Sequence, residues 1–196
     1  MSDLLAFVGS SRRGGNTDLL VGEALRGARA AGATARRIRL GELVLNHCDG
    51  CLGCADGACT RHDDDMAGLY PAFMKAKALL FATPVYFWNV SGLTKTLWDR
   101  MLPLAGLDLS CRPLEMRPRL RGKRAATIVI QEEAAGDQPS ICRQFFDRNL
   151  ADFGLVDVGS VYAYGALRQG EVRGDEEAMR AAFSLGRALT SPPDGA

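Results

Sequence analysis

The chain carries almost no excess of charge of either sign. Its 24 lysine and arginine residues are balanced by 23 aspartate and glutamate residues, which leaves a formal net charge of +1. A nucleic-acid-binding domain usually has a basic surplus, so the charge balance gives no electrostatic basis for a nucleic-acid partner. Arginines cluster locally at 36–39 and 112–124, and we interpret both clusters as solvated faces or subunit contacts.

A long apolar run is also missing. A membrane-spanning helix needs about 20 apolar residues, whereas the first apolar run covers only Leu4–Val8. The arginines follow this run, which is the wrong order for a secretory signal. We therefore expect no membrane partner and a cytoplasmic location. In that reducing compartment, closely spaced cysteines are typical of metal-binding or catalytic thiols rather than of disulfides.

Internal repeats, low-complexity segments and an evident domain boundary are absent as well. The 196 residues are 47% hydrophobic and 24% charged, which is typical of a soluble globular protein with a substantial core. We predict one domain over residues 1–196, with a cysteine-rich loop at 47–60.

Short apolar runs alternate with segments of helical periodicity. Strands are predicted at 4–8, 35–40, 78–82, 125–130 and 156–162. Thr83 and Pro84 are expected to end the third strand, and the proline-rich segment 103–123 is expected to be irregular. Strands that alternate with helices at this spacing indicate a parallel sheet covered on both faces. Five strands favour a flavodoxin-like, doubly wound α/β fold with strand order 2-1-3-4-5.

Four of the six cysteines fall within twelve residues. They follow the pattern C-x2-C-x2-C-x4-C and are Cys48, Cys51, Cys54 and Cys59. The small residues between them let a short loop aim several sulfurs at one point, and four cysteine thiolates are the usual ligands of an iron–sulfur cluster. Zinc, with His47 or His62 as an extra ligand, and free thiols are the alternatives. The two remaining cysteines, Cys111 and Cys142, are expected to be buried structural thiols.

The polar residues that flank the cysteines have simpler interpretations. His47 and His62 are isolated histidines beside a turn, and such residues are more often surface residues than ligands. Asp63–Asp65 precede a helical pattern that includes Met66. Acidic residues are favoured at a helix N-terminus, so we expect this run to cap a helix rather than to bind a cation.

The loop after the first strand has the composition of an anion site. Gly14 and Gly15 let backbone amides approach a ligand, Arg12 adds charge, and the following helix adds its N-terminal N–H groups. Short polar side chains complete the loop at Ser10, Ser11, Asn16 and Thr17. A Walker A loop and a G-x-G-x-x-G motif are both absent, which argues against a nucleoside triphosphatase and a Rossmann site. The alternative is an ordinary strand–helix turn capped by Asn16 or Thr17.

The segment after the third strand combines aromatic and polar residues. Tyr86, Phe87 and Trp88 stand beside Asn89 and Ser91 at the end of a central strand. Aromatic side chains offer stacking area and backbone amides can bond ring heteroatoms, so the segment suits a flat, partly polar ring. A hydrophobic loop that packs on a neighbouring subunit is a compatible alternative.

In order and spacing, these segments resemble the family of NADPH-dependent FMN reductases and iron–sulfur flavoproteins, which are flavodoxin-like. The resemblance rests on residues 9–17, 48–66, 83–91 and 120–123. It implies that FMN is the cofactor. The implied FMN-binding residues are Ser10, Arg12, Gly15, Asn16 and Thr17 around the phosphate, and Pro84, Val85, Tyr86, Phe87, Trp88 and Asn89 along the isoalloxazine ring.

One residue and one loop depart from the family pattern. Ser11 stands where the family often has proline, and the loop at 131–136 is more acidic than expected for a segment that contributes to the ring site. The cysteines, in contrast, match the pattern. Members that are iron–sulfur flavoproteins carry a compact cysteine motif that binds a [4Fe–4S] cluster close to FMN, and the resemblance implies that role for the four cysteines of the loop.

The resemblance implies a redox flavoprotein in which FMN accepts electrons from NAD(P)H and delivers them singly through a cluster or as a pair to an acceptor. No catalytic side chain is required, because the flavin carries the chemistry. The alternatives are a cluster-free NAD(P)H-dependent quinone or nitro-compound reductase and a non-enzymatic, flavodoxin-like electron carrier. The expected partners are a small-molecule or protein redox partner and further copies of the chain in a homodimer or homotetramer, with segment 103–123 as a candidate contact.

Overall fold

A central sheet of parallel strands organises the fold. The computed structural model describes residues 2–54, 57–108, 110, 115–133 and 140–191. The strands are β1 (Leu4–Val8), β2 (Ala35–Arg39), β3 (Ala78–Tyr86), β4 (Asn89–Val90), β5 (Leu107–Asp108), β6 (Glu115–Met116), β7 (Arg124–Ile130) and β8 (Val156–Ala163). The helices are α1 (Asn16–Ala30), α2 (Met66–Lys75), α3 (Gly92–Arg100), α4 (Leu102–Ala105), α5 (Ser140–Asp152) and α6 (Glu176–Thr190).

The main sheet has the strand order β2-β1-β3-β7-β8, and each neighbouring pair in this path is parallel. In chain order these strands stand 2-1-3-4-5, which confirms the predicted flavodoxin-like arrangement. The strand order reverses between β1 and β3. Ligands of doubly wound sheets bind beyond the carboxyl ends of the strands at such a reversal. We therefore expect a ligand site at the loops that follow β1 and β3.

Alternating strand residues fill both faces of the sheet. Phe7 and Phe81 belong to the core beneath α2, α3 and α5, whereas Leu4 and Val8 belong to the core beneath α1 and α6. The Phe7 and Phe81 rings stack with centroids 5.4 Å apart, and Trp98 tilts against Phe81 at 4.5 Å. Each large side chain buried in this way contributes roughly 1.5–3 kcal/mol, which makes the sheet and its two helical layers a rigid frame for the loops.

The prediction that Thr83 and Pro84 end the third strand is wrong. β3 continues to Tyr86, and Pro84 pairs in register with Ile130 of β7. On the opposite side, the pairing of β3 with β1 stops at Ala82. Because β3 has become an edge on that side, the missing N–H of proline is tolerated there. The chain then turns back, and β4 pairs with β3 in an antiparallel hairpin.

Segment 103–123 is more ordered than expected where the structure describes it. It contains most of α4 and a two-stranded antiparallel pair, in which Leu107 lies opposite Met116. Gly106, with a φ of 63°, connects α4 to β5. Cys111 lies outside the described residues, so its predicted burial stays a prediction. None of the helices in the described part of the chain is both long and apolar enough to cross a membrane.

Candidate functional site

A cavity of about 180 Å³ lies at the carboxyl edge of the sheet. Four separate segments converge on it: the loop after β1, the end of β3, the end of β7 and the segment after β8. The lining residues are Ser10, Arg12, Asn16, Thr17, Pro84, Val85, Tyr86, Ile130, Gln131, Glu132, Ala166 and Leu167. Seven of the predicted FMN-binding residues are in this set, so the fold brings the first loop and the start of the aromatic segment together at one place.

The first loop is fixed where it leaves β1. The Gly9 N–H donates to the Ala82 carbonyl at 2.7 Å, and the Ser91 hydroxyl donates to the Gly9 carbonyl at 2.6 Å. A Cβ atom on residue 9 would lie 2.0 Å from Oγ1 of Thr94. Only glycine fits there, because α3 approaches the end of β1 so closely. The start of α3 is therefore packed directly against the start of the candidate anion loop.

A buried carboxylate shapes the middle of the same loop. Asp18 accepts the Gly14 N–H at 3.0 Å and pairs with Arg37 at 2.9 Å and Arg39 at 3.0 Å. Burial opposes ionisation of Asp18, but the Arg39 and Gly14 hydrogen bonds and the two arginine charges outweigh it and lower the pKa of Asp18. The carboxylate thus holds Gly14 in a left-handed conformation, with a φ of 65°. Its negative charge is neutralised from β2.

Asn16 is a structural connector between the two ends of the chain. Its side-chain amide donates to the carbonyls of Ala166 at 3.0 Å and Arg168 at 2.9 Å. Its carbonyl oxygen accepts the N–H groups of Gly170 at 2.9 Å and Val172 at 3.3 Å. These bonds satisfy the two donors and the acceptor of the amide within the protein. The predicted contact of Asn16 with a phosphate therefore stays a prediction.

Residues 166–172 form a strap over the first loop. Besides the Asn16 bonds, Arg12 donates to the Leu167 carbonyl at 3.2 Å and Gln169 donates to the Arg13 carbonyl at 2.9 Å. The sequence reasoning did not identify this strap, although Ala166 and Leu167 line the cavity. Two glycines in the sequence, Gly165 and Gly170, could have indicated turns at this strap, and both have positive φ in the structure.

The aromatic segment forms a strained hairpin turn. Tyr86 pairs with Asn89, so the turn consists of Phe87 and Trp88, whose φ values are 48° and 66°. Asparagine and glycine are favoured in such turns, and a bulky residue in this region costs roughly 1 kcal/mol or more. Phe87 is 100% exposed and Tyr86 and Trp88 are about half exposed. Pro84, Val85 and Tyr86 line the cavity, whereas Phe87, Trp88 and Asn89 lie outside its lining.

The cysteine loop begins and ends on the same side of the sheet. Cys48 and Cys51 are exposed, whereas Cys54 and Cys59 are half buried. Burial raises the pKa of the Cys54 thiol, and the charges of Cys59, Cys48 and Cys51 raise it further. Cys54 therefore lies within electrostatic range of the other three thiols. Within the described part of the chain, however, no group of three or more His, Cys, Asp or Glu side chains is close enough to hold a metal ion.

The histidines and the separate cysteine have defined surroundings. His47 is exposed, and its Nδ1 shares a hydrogen bond of 2.8 Å with the Thr96 hydroxyl of α3. His62 is half buried, and its Nε2 has no hydrogen-bond partner among the described residues. Cys142 is fully buried, as predicted, and burial raises its pKa to about 11. Its thiol points to the carbonyl of Trp88 at 3.8 Å.

The Asp63–Asp65 run does more than cap a helix. Asp64 accepts the N–H of Met66, the first residue of α2, at 3.1 Å, which fits the prediction. Asp64 also forms a buried ion pair with Arg100 of α3, which the sequence did not indicate. Burial opposes ionisation of Asp64, but hydrogen bonds from Arg100, Asn46 and Met66 outweigh it and hold its pKa well below the usual range. Asp65 instead accepts the Val44 N–H at 2.7 Å.

A second cavity, of about 590 Å³, lies at the opposite edge of the sheet. It is lined by residues at or before the amino ends of the strands, such as Asp3, Ala78, Arg124 and Val156. It is larger, but none of the first loop, the hairpin or the cysteine loop reaches it. Ligands of doubly wound sheets bind at the carboxyl edge, so the smaller cavity is the candidate site.

Residues 2–145 match the NADPH-dependent FMN reductase family. The chain is 32% identical over 186 residues to an iron-sulfur flavoprotein of Archaeoglobus fulgidus, which covers 94% of this chain and 77% of the relative. It is 29% identical over 174 residues to an iron-sulfur flavoprotein of Methanocaldococcus jannaschii, over 88% of this chain and 85% of the relative.

A solved structure of a flavone reductase superposes on the chain with a TM-score of 0.72 at 20% identity. The match covers 95% of this chain but 61% of the flavone reductase chain, and at this identity it indicates the fold alone. Family and fold agree with the position of the cavity at the carboxyl edge of the sheet. The chain therefore belongs to the NADPH-dependent FMN reductase family and is an FMN-containing oxidoreductase with a flavodoxin-like fold.

Proposed function

We propose that the protein uses FMN at the carboxyl-edge cavity to take electrons from NAD(P)H and pass them through an iron–sulfur cluster held by the cysteine loop. The observation that carries this proposal is the convergence of the first loop, the end of β3 and the end of β7 on one cavity. The cysteine loop is attached to α3, the helix that follows the hairpin. The names of the iron-sulfur flavoprotein relatives support the second cofactor.

The first loop suits the phosphate of FMN. The N–H groups at the start of α1, from Asn16 onward, have no acceptor within the helix and carry the positive end of its dipole. Ser10 and Thr17 are buried beside them and supply hydroxyl donors. Because Arg37 and Arg39 neutralise the Asp18 carboxylate, an incoming phosphate meets little repulsion from beneath the loop.

The cavity is too small to enclose the whole cofactor. Pockets that enclose a ligand of drug size measure about 300–1,000 Å³, whereas this one measures about 180 Å³. We infer that it takes the phosphate and ribityl end, and that the isoalloxazine ring lies along Pro84–Tyr86 toward the exposed hairpin. Tyr86 and Trp88 then offer stacking area, and the strained turn keeps them available to the ring or to an incoming partner.

The cysteine loop has the donor set for a [4Fe–4S] cluster. Cys48, Cys51, Cys54 and Cys59 supply four thiolates, and Cys54 already lies within electrostatic range of the other three. A bound cluster would exchange single electrons, and bound FMN would accept an electron pair and release it in one or two steps. The protein would position the two centres and control access to the ring. The terminal acceptor is a small molecule or a protein redox partner.

Anaerobic purification tests this proposal. We expect about one FMN per chain and about four iron and four sulfide ions per chain after reconstitution, with a broad absorbance around the flavin bands. Protein that takes up neither FMN nor iron contradicts the proposal. The quadruple variant C48S/C51S/C54S/C59S is the matched control, because it should keep the flavin and lose the iron.

A cluster-free reductase is the second candidate. The observation that favours it is that no three metal-binding side chains are preassembled in the part of the chain that the structure describes. In this version bound FMN would supply an electron pair directly to a quinone or nitro compound. The iron analysis separates the two, since this enzyme would oxidise NAD(P)H with such acceptors while it contains flavin but no iron or sulfide.

We also propose that a second copy of the chain covers the aromatic hairpin, which would complete the ring site. Phe87 is fully exposed on a turn that adopts a strained conformation, and an exposed aromatic group of this kind is typical of an interaction surface. Light scattering on the holoprotein should give a dimer or tetramer, and F87S should shift it toward the monomer. A monomeric wild-type holoprotein contradicts this part of the proposal.

A further inference from the structure

One polar network joins both ends of the cysteine loop. Asn46 precedes the first cysteine and Asp64 follows the last, and the Asp64 carboxylate accepts the Asn46 backbone N–H at 2.8 Å and its side-chain amide at 3.1 Å. Arg100 donates to both Asp64 oxygens, at 2.6 and 3.0 Å, and to the Asn46 carbonyl at 2.8 Å. The two ends of the cysteine loop are therefore hydrogen-bonded to each other and to Arg100, the last residue of α3.

The ion pair within this network is buried, although Asn46 and the loop above it are exposed. The Arg100 and Asp64 side chains are 2% and 0% exposed, whereas Cys48 and Cys51 face solvent. Burial of an ion pair does not by itself stabilise a fold, because the desolvation penalty opposes the attraction. Its geometry is better explained by the need for one defined arrangement, since a bidentate arginine fixes direction as well as distance.

Cys59, one of the half-buried cysteines, packs near the network. Cys59 packs against the same hydrophobic core as Tyr70, whose hydroxyl donates to the Arg100 carbonyl at 2.9 Å. Burial lowers the pKa of Arg100, but the Asp64 carboxylate outweighs this effect and a charge on Cys59 adds to it. Tyr70 therefore connects Arg100 to the core on which Cys59 packs.

Helix α3 connects this network to the FMN site. At its start, the Ser91 hydroxyl binds the Gly9 carbonyl, where the first loop begins. In its middle, Thr96 binds His47, next to the first cysteine of the loop. At its end, Arg100 holds Asn46 and Asp64. Helix α3 thus contacts both the first loop and the two ends of the cysteine loop, so it can fix the distance between these loops.

We propose that the Asp64–Arg100 pair is a positioning element that seats the cysteine loop on α3 at a fixed place relative to the flavin site. The inference rests on the proposed function for the role of the loop. Neither residue of the pair lines the cavity, and neither is a cysteine of the loop. It acts by holding Cys54 and Cys59 where a cluster can form, and by holding that place constant during turnover.

Thiol labelling of the metal-free protein tests the positioning role. We expect D64N and R100K to raise the alkylation rates of Cys54 and Cys59 roughly fivefold or more, while the buried Cys142 remains the slower thiol to react, because the loop opens without unfolding of the whole chain. D63N, at the adjacent exposed aspartate, should match the wild type. After anaerobic reconstitution, D64N and R100K should keep FMN but hold less iron per chain than D63N.

The two ion-pair variants separate positioning from charge. R100K keeps the positive charge and loses the bidentate geometry, whereas D64N removes a negative charge. A change in D64N alone means that the pair acts by charge and overturns the proposal. Labelling of Cys142 as fast as that of Cys54 and Cys59 reports general unfolding and also overturns it. If neither variant folds, N46A is the milder test, because it removes one bond from the network; unchanged labelling of Cys54 and Cys59 in N46A then overturns the proposal.

The labelling result does not depend on the cofactor assignment. Wild-type protein that binds no iron contradicts the proposed cluster, yet the labelling rates of the metal-free variants still report whether the pair seats the loop. Failure of the proposed function and failure of the positioning role are therefore distinguishable.

Discussion

The side-chain amide of Asn16 donates to the carbonyl of Ala166 at 3.0 Å and joins the first loop to a segment 150 residues later in the chain. The same side chain makes three further hydrogen bonds to this strap, residues 166–172. Asn16 is 9% exposed, so these bonds are made largely away from water. Asn16 of the first loop therefore also holds the strap, whose residues Ala166 and Leu167 line one side of the cavity.

Removal of the Asn16 amide should weaken FMN binding. We expect N16A to raise the Kd of FMN about tenfold or more, because the strap loses its main attachment and buried backbone groups are left unpaired. N16D should be weaker still, since a carboxylate oxygen would face the carbonyls of Ala166 and Arg168. Flavin fluorescence titration measures both. Q169A, which removes one exposed bond to the Arg13 carbonyl, is the control, and N16A with wild-type affinity would contradict the role of the strap.

Relief of the hairpin strain should stabilise the protein at the expense of its function. The double variant F87N/W88G places favoured residues at the two left-handed positions, and we expect the free energy of unfolding of the apoprotein to rise by roughly 1–2 kcal/mol. Loss of the aromatic groups should at the same time lower the rate of flavin reduction. Urea unfolding and NAD(P)H oxidation measure the two effects, and an unchanged free energy of unfolding would show that the turn is not strained.

Single cysteine substitutions should distinguish the iron-binding cysteines of the loop from the buried Cys142 of the core. C54S should lose most of the bound iron and keep FMN at the wild-type stoichiometry, because Cys54 is one of the four proposed cluster ligands and does not line the cavity. C142A is the matched control: its thiol is buried in the core next to the hairpin, so it should keep both. Iron and flavin assays on reconstituted protein measure these outcomes. Retention of full iron in C54S would exclude a four-cysteine cluster.

Acid should weaken the protein through Asp64. The folded-state pKa of Asp64 is lowered, so the ionised carboxylate contributes its full stability above the ordinary carboxyl pKa of about 4, and this contribution is lost as the pH falls toward the folded-state value. At neutral pH we expect D64N to be less stable by about 3–5 kcal/mol, because Arg100 is left buried and unpaired.

The difference between the wild type and D64N should therefore narrow as the pH falls below about 4. Urea unfolding of the metal-free proteins at a series of pH values measures it. D63N, whose carboxylate is exposed, should differ from the wild type by a small, nearly constant amount. A gap between D64N and the wild type that stays constant down to about pH 3 would mean that the pKa of Asp64 is not lowered in the folded protein.

The repeating features of the fold could be predicted from the sequence. The five apolar runs, their spacing and the intervening helical patterns were sufficient for the strand order, because right-handed crossovers leave few topologies open. The end of β3 was misplaced, since proline usually stops a strand. Whether Pro84 lies on a free edge depends on where β1 ends, and that is a property of the assembled sheet.

The site was predictable only where its residues are neighbours in the sequence. The first loop and the aromatic segment carry their chemistry locally, and the fold brings them together. The partners of Asn16 are about 150 residues away and are mostly backbone carbonyl and N–H groups, so residue types give no indication of them. Arg100 likewise sits in an ordinary amphipathic helix, and only the packed structure places it against Asp64.

Anaerobic mixing of the holoprotein with NADPH most directly tests the proposed electron path from NADPH through FMN to the cluster. Followed at the flavin absorbance and then by electron paramagnetic resonance of frozen samples, the reaction should bleach the flavin first and give the signal of a reduced iron–sulfur cluster afterwards, at the same protein concentration. A flavin that stays oxidised in excess NADPH and NADH would contradict the proposal that FMN takes electrons from NAD(P)H. So would complete bleaching of the flavin in protein that contains iron but never gives a cluster signal.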